Sequence, residues 1–339
     1  MDKIKLNKIA KQLSNSPKGI LAADESNGTI KKRFDSIKLE SSFENRRKYR
    51  ELLFQTINIE KYISGVILFD ETIKQKNSDG ISFVNLLKSK GIEAGIKVDA
   101  GAKKLEGSEN EKITEGLDNL SAKIDEYKEL GASFTKWRAV IEIGNNKPSL
   151  YCIKLNSYAL ARYAKIVQEQ GLVPIVEPEV LMDGSHTIDE CFQTTKTVLK
   201  VVFEELSFNN VYLGGILLKP NMVISGMKCQ NQSSVEEVKN QTLNCLKECV
   251  PDEVPGIVFL SGGQSNELAT LHLNLMNKNL KLPWNLSFSY GRALQQPSII
   301  SWNGKDENVS ISQKNLEKRA KLNSLATTGD YNISMEDVN

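Results

Sequence analysis

Histidine is nearly absent from this chain: His186 and His272 are the only two among 339 residues. Catalytic zinc sites commonly draw two or three histidines to one metal, so a zinc enzyme is disfavoured and no metal ligand is assigned. Each histidine reads instead as a loop or surface residue. Cysteine is sparse and odd in number, with Cys152, Cys191, Cys229, Cys245 and Cys249 scattered and no C-x-x-C pair among them, against a zinc ribbon or a dithiol redox motif. Cys245 and Cys249 stand one helical turn apart and read as packing on one face. The set fits a reducing cytosol. An excess of one charge is also missing, with 44 basic against 42 acidic residues and no block of like sign. Neither nucleic acid nor an anionic membrane is therefore expected as a partner. No apolar run is long enough to span a bilayer, and the lysine-rich start, Met1 to Leu13, lacks the continuous apolar segment of a secretory signal. A cytoplasmic protein acting on a small molecule is the expectation.

What is present is a repeated alternation. Eight short apolar runs read as strands: Gly19 to Asp24, Gly65 to Phe69, Gly95 to Asp99, Phe134 to Val140, Leu172 to Glu177, Gly214 to Lys219, Gly256 to Leu260 and Leu286 to Tyr290. Most are bounded by glycine or proline and rich in Ile, Val, Leu or Phe, the pattern of strands buried on both faces. Amphipathic stretches separate them: Phe43 to Ile59, Ile113 to Leu130, Ser157 to Gln170, Thr187 to Leu206, Ser234 to Cys249 and Ser265 to Asn279. Gly131 and Gly171 follow two of these as C′ caps. Successive strands start about 30 to 45 residues apart, the length of a βα unit, and eight such units make a (β/α)8 barrel, an α/β fold of the TIM-barrel type. An open doubly wound sheet would favour a glycine-rich phosphate loop after its first strand, whereas Ala22-Ala23-Asp24-Glu25-Ser26 contains no G-x-G-x-x-G. We therefore expect one barrel domain over residues 1–326, N-terminal helix included, and a mobile polar tail over residues 327–339.

The barrel reading gives the charged residues a place. Active sites of such barrels form at the C-terminal ends of the strands, and there the runs carry Asp24, Lys97 and Asp99, Lys136 and Arg138, Glu177 and Glu179, and Lys219. Strand side chains alternate in direction, so each same-strand pair points to one face. Any one of these charges could simply be solvated; five runs ending this way together point to a shared site. Lys219 precedes Pro220, which biases it toward extended geometry at the end of its strand. A lone lysine there commonly snorkels into water. Backed by apolar neighbours and next to a second lysine, Lys136, such an amine is shifted toward its free, nucleophilic form, while Glu177 and Asp24 can move protons.

The last two strands carry a different signal. Ser261-Gly262-Gly263-Gln264-Ser265 follows the seventh, and Ser289-Tyr290-Gly291-Arg292 closes the eighth. Glycines let backbone N–H groups approach an anion, and arginine supplies paired donors, so Ser261, Gly262, Gly263, Ser289, Gly291 and Arg292 read as a phosphate site. A second phosphate could be held across the barrel mouth by Ser26, Thr29 and Lys97, with Arg33 nearby. Ser26 and Thr29 could equally cap the helix after the first strand.

The blocks Leu21-Ala22-Ala23-Asp24-Glu25-Ser26, Gly95-Ile96-Lys97-Val98-Asp99, Lys136-Trp137-Arg138, Val176-Glu177-Pro178-Glu179, Leu218-Lys219-Pro220-Asn221-Met222, Leu260-Ser261-Gly262-Gly263-Gln264-Ser265 and Ser289-Tyr290-Gly291-Arg292-Ala293-Leu294 resemble, in order, those of class I, Schiff-base-forming fructose-1,6-bisphosphate aldolases. The resemblance covers about Lys18 to Leu325. It implies a lyase of glycolysis and gluconeogenesis with no cofactor, in which Lys219 forms an imine with the ketose. Glu177 would act as acid and base in forming and hydrolysing the imine, and Asp24 would direct the C4 hydroxyl proton. Lys136 would assist electrostatically, with Arg138 and Glu179 orienting the cluster. The C1 phosphate would rest on Ser261, Gly262, Ser289, Gly291 and Arg292, and the C6 phosphate on Ser26, Thr29, Arg33 and Lys97. Family members are often tetramers, which implies a homo-oligomer. One departure stands out: familiar animal members end in a tyrosine implicated in proton exchange, whereas the last tyrosine here is Tyr331. Another group would then handle that proton, or turnover would differ. The rival functions are a Schiff-base aldolase preferring sedoheptulose 1,7-bisphosphate or a ketose monophosphate, a metal-dependent aldolase, which the shortage of histidines disfavours, and an aldolase-like binding protein without catalysis.

Overall fold

The apolar runs assemble into a closed barrel of eight parallel strands in the computed structural model, which describes residues 1–337. They are β1 (Gly19–Ala22), β2 (Ile63–Leu68), β3 (Glu93–Lys97), β4 (Phe134–Ile141), β5 (Val173–Val180), β6 (Leu217–Leu218), β7 (Gly256–Phe259) and β8 (Asn285–Tyr290). Neighbours follow chain order, and β8 closes on β1 with Ile20 opposite Ser289 and Leu21 opposite Tyr290. Helices pack outside, among them Phe43–Gln55, Leu150–Glu169, Ile188–Phe208, Val235–Cys249 and Asn266–Asn277. Ser and Thr cap their N-termini as the sequence pattern requires; Thr187 and Ser234 each form a reciprocal capping box with a glutamate three residues on. Gly131 and Gly171 adopt the left-handed φ of C′ residues, +101° and +78°.

The interior of the barrel is layered. On β4, Phe134 and Lys136 face inward while Thr135 and Trp137 face out onto Tyr163. At the N-terminal end, the inward layer is apolar: Ile20, Ile67, Phe134, Val173, Ile175, Leu217 and Val258 pack with Leu6, Ala10 and Leu13 of an N-terminal helix (Lys3–Ser14) that plugs the opening. Burying side chains of this size contributes about 1.5–3 kcal/mol each. Gly95 is a steric requirement there, since a Cβ at that position would meet the Phe134 ring at 2.3 Å.

Two elements depart from the sequence pattern. The stretch Ile113 to Leu130 is a helix only over Leu120–Glu129; its start belongs to an antiparallel hairpin, Ala102–Lys104 with Lys112–Thr114. There Thr114 donates its backbone N–H to Asn156 Oδ1 at 3.2 Å and its hydroxyl to the Arg138 carbonyl at 2.8 Å, long-range bonds no local pattern could reveal. The sixth strand is also shorter than expected. Leu213–Gly215 form a 3-10 turn whose Gly214 and Gly215 carbonyls accept from Asn7 (2.7 Å) and Gln168 (3.2 Å). Ladder pairing is thus confined to Leu217 and Leu218.

The two histidines are not surface residues. His272 lies on the inner face of Asn266–Asn277 with Nδ1 2.6 Å from Gln264 Oε1, and His186 is buried in the loop after β5. Helical periodicity puts His272 on the face shared by Ala269, Leu273 and Met276. Within the segment 327–339, Thr327 and Tyr331 are buried and Ile333–Glu336 form a 3-10 turn. Residues 338 and 339 of that segment lie outside the described residues. No helix among the described residues is long and apolar enough to cross a membrane.

Candidate active site

Continuing up the strands from the apolar layer, the inward positions become ionisable. Phe134 is followed on the same face by Lys136 and Arg138, Val173 and Ile175 by Glu177 and Glu179, Leu217 by Lys219, and Ile20 and Ala22 by Asp24. Parallel register sets β4 against β5 with Arg138 opposite Glu177, and β3 against β4 with Lys97 opposite Lys136. A cavity of about 270 Å³ results, lined by every sequence-predicted site residue but one. The exception is Gly263, which turns away at φ +73° to pack on Met182 and Ile224. A larger hollow of about 710 Å³ lies between residues 107–111 and 142–151, but its central carboxylate, Glu111, is already bonded to Ser108 and Ser149. The smaller cavity is the one at the C-terminal ends of the barrel strands, where buried lysines and carboxylates meet.

At its floor, Glu177 bridges two lysines: Lys219 Nζ lies 3.0 Å from Oε1 and Lys136 Nζ 3.1 Å from Oε2. Lys136 also reaches Asp24 Oδ2 at 2.7 Å. Lys219, Lys136 and Glu177 are each no more than 4% exposed, so water does little to screen these charges. Burial alone would raise the Asp24 carboxyl, but Lys136, then Lys219 and Lys97, overcome it and hold the group well below the usual carboxylate range. Glu177 is likewise lowered against burial, by Lys136, Lys219 and Arg138. For Lys136, burial opposes the charge, yet Asp24 and Glu177 hold the ammonium firmly protonated. Arg138 pairs with Glu179, and its backbone N–H donates to Asp99 Oδ2 at 3.2 Å. Asp99 in turn lies 3.3 Å from Lys97 Nζ.

The rim differs in kind. Ser289 Oγ is buried without a hydrogen-bond partner among the described residues. Ser26 occupies the N-cap position of a helix, Asn27–Asp35, but its hydroxyl bonds Thr29 Oγ1 at 3.1 Å and caps no backbone N–H. The capping alternative for Ser26 therefore does not hold. β1 and β8 are barrel neighbours, so Ser26 and Thr29 follow the strand next to the one that carries Ser289 and Gly291. Arg33 stands between, its Nη2 3.4 Å from the point a Gly291 Cβ would occupy. Lys97, on β3, is the predicted phosphate residue set farther round. Sequence reasoning passed over Glu25, a buried carboxylate paired with Arg33 and, at 2.6 Å, with Arg50, and bonded by Gln295 at 2.9 Å. Its signal was its place beside Asp24; its partners, from three different helices, gave none.

Comparison with known proteins supplies the family. A family model described as class-I fructose-bisphosphate aldolase matches residues 5–339. The chain belongs to the class I fructose-bisphosphate aldolases. A protein named probable fructose-bisphosphate aldolase class 1 from Xanthomonas axonopodis pv. citri is 54% identical over 316 residues, covering 93% of this chain and 94% of that one. A cytosolic fructose-bisphosphate aldolase of Arabidopsis thaliana is 53% identical over 93% of this chain and 80% of its own. Among solved structures, the fructose-bisphosphate aldolase of Plasmodium falciparum, in complex with TRAP and a small-molecule inhibitor, superposes with a TM-score of 0.96 at 49% identity, covering 97% of this chain and 96% of that one. Aldolases are lyases, and the family acts on a phosphorylated sugar through an imine, as class I implies.

Proposed function

We propose that Lys219 is the imine-forming residue of this aldolase and that Glu177, Asp24 and Lys136 carry the proton and charge movements around it. The observation that carries the reading is the bridge through Glu177, which sets a carboxylate oxygen 3.0 Å from the Lys219 nitrogen in a buried, lysine-rich floor. Lys219 Nζ, freed of a proton to a neighbouring carboxylate, attacks C2 of fructose 1,6-bisphosphate, and the ketone oxygen becomes a hydroxyl. Glu177 protonates that hydroxyl, water leaves, and the iminium forms as an electron sink. Asp24, kept ionised by its lysines, takes the proton from the C4 hydroxyl. The C3–C4 electron pair moves into the iminium, giving an enamine on Lys219 and releasing glyceraldehyde 3-phosphate. Protonation at C3 and addition of water to the regenerated iminium return the lysine and release dihydroxyacetone phosphate. Lys136 stays cationic throughout and steadies the developing negative charge. Arg138 and Glu179 hold the wall that orients it.

The C1 phosphate is assigned to Ser261, Gly262, Ser289, Gly291 and Arg292, supported by the Ser289 hydroxyl, a buried donor without a partner among the described residues. The C6 phosphate is assigned to Ser26, Thr29 and Lys97, with Arg33 between the two ends. Gly263 acts through its backbone turn. On the family resemblance we also propose homo-oligomeric assembly and a cytoplasmic location, which light scattering and cell fractionation test. Lys219→Ala should abolish cleavage of fructose 1,6-bisphosphate, by at least about 10³-fold in kcat. The bisphosphate should be preferred over fructose 1-phosphate; equal use of the two would remove the C6-phosphate assignment.

A further inference from the structure

Arg292 is not held by the phosphate loops alone. Its Nη2 donates to the backbone carbonyls of Ser261, at 3.2 Å, and Gln264, and its Nη1 donates to the side chains of Asn266 and Gln296, both at 3.1 Å. Asn266 is itself gripped from behind. Arg319, on a C-terminal helix (Val309–Ala326), donates from Nη2 to the Asn266 carbonyl at 3.0 Å and to Thr270 Oγ1 at 2.6 Å. Arg319 is 3% exposed, and its one carboxylate partner among the described residues is Glu336, near the end of the chain. Glu336 is fixed in turn: Tyr331 donates its hydroxyl to Oε1 at 2.8 Å, and Lys318 donates to its backbone carbonyl at 2.6 Å. The Tyr331 N–H is anchored on Asn274 Oδ1 at 2.9 Å, on the same helix as Asn266.

We propose that Asn266 is a positioning residue for Arg292, and that the C-terminal segment, through Glu336 and Arg319, locks Asn266 in place. The inference rests on the assignment of Arg292 to the C1 phosphate. A guanidinium with its rotamer fixed before substrate arrives loses less freedom on binding, so the latch acts on affinity for phosphate rather than on the chemical step. Without Glu336, the buried Arg319 charge is left to its remaining acceptors, the Asn266 carbonyl and the Thr270 hydroxyl, and the segment that carries the Asn266 side chain to Arg292 is no longer held in place. A latch that merely stabilised the fold would lower stability without coupling to Arg292.

The test is a double-mutant cycle on the full chain, read as KM for fructose 1,6-bisphosphate, kcat, and inhibition by inorganic phosphate. Asn266→Ala should raise KM and the phosphate inhibition constant by about fivefold, with kcat within about twofold of wild type. Arg292→Ala should raise both further, and the double variant should be no worse than Arg292→Ala alone. Glu336→Gln, a surface-proximal change that keeps the side-chain shape, should raise KM by about threefold in the wild-type background and leave it unchanged in the Asn266→Ala background. Unaltered KM in both Asn266→Ala and Glu336→Gln, or effects that multiply with Arg292→Ala, would overturn the latch. An Arg292→Ala enzyme with wild-type KM and phosphate inhibition would instead remove the phosphate assignment, and the latch with it.

Discussion

The two ends of the barrel interior are built from the same strands yet do opposite work. At the N-terminal end, Phe134, Val173, Ile175, Leu217 and Ile20 close on Leu6, Ala10 and Leu13 in a layer without polar atoms to satisfy. One pleat farther along, Lys136, Glu177 and Lys219 fill the same cross-section with charge, Glu177 lying 3.1 Å from Lys136 Nζ and 3.0 Å from Lys219 Nζ. The apolar layer gains from burial; the charged one bears a desolvation cost that its internal pairing offsets. A two-residue step along a strand is thus the distance between stability and chemistry.

The sharpest way to break this division is at the floor. Glu177→Gln keeps the shape of the bridge and removes its charge and its proton-transfer capacity, and kcat for cleavage should fall by about 10²–10⁴-fold with the fold retained by circular dichroism. In the apolar layer the expectation reverses. Phe134→Ala should cost about 3–5 kcal/mol of stability in a denaturant titration, while the enzyme that remains folded keeps kcat within a few-fold of wild type. A Phe134→Ala variant that is as stable as wild type but catalytically dead would erase the distinction.

A smaller effect concerns pH. Burial lowers the His272 pKa to about 4, below its ordinary value of 6.5. Between those two values the unfolded chain binds a proton that the folded one refuses, so this group's contribution is present above pH 6.5 and is lost as pH falls toward 4. The loss is on the order of 3 kcal/mol by pH 4. His272→Gln should flatten the stability profile over that window in thermal melts. Asp24 and Glu177, whose folded values are depressed, contribute stability that is lost only at more acidic pH.

The barrel was legible in eight apolar runs spaced at the length of a βα unit, and its charged mouth in the period-two spacing of the residues that end them. Lys136 with Arg138, and Glu177 with Glu179, declare one face from their spacing alone, and Lys219 is fixed by the proline after it. What escaped was whatever depends on distant segments meeting. Thr114 is a strand residue because Asn156 and Arg138 accept it into a hairpin; Glu25 is buried because Arg33, Arg50 and Gln295 arrive from three helices. His272 was misplaced for a similar reason, its helix presenting the ring to Gln264 from the preceding loop.

Reduction with borohydride in the presence of dihydroxyacetone phosphate tests the central claim most directly. The reduced imine should appear as a single stable adduct on the peptide containing Lys219, located by mass spectrometry, and should be lost in Lys219→Ala. An adduct on Lys136 or another lysine, or full cleavage activity with no trappable adduct, would contradict the account.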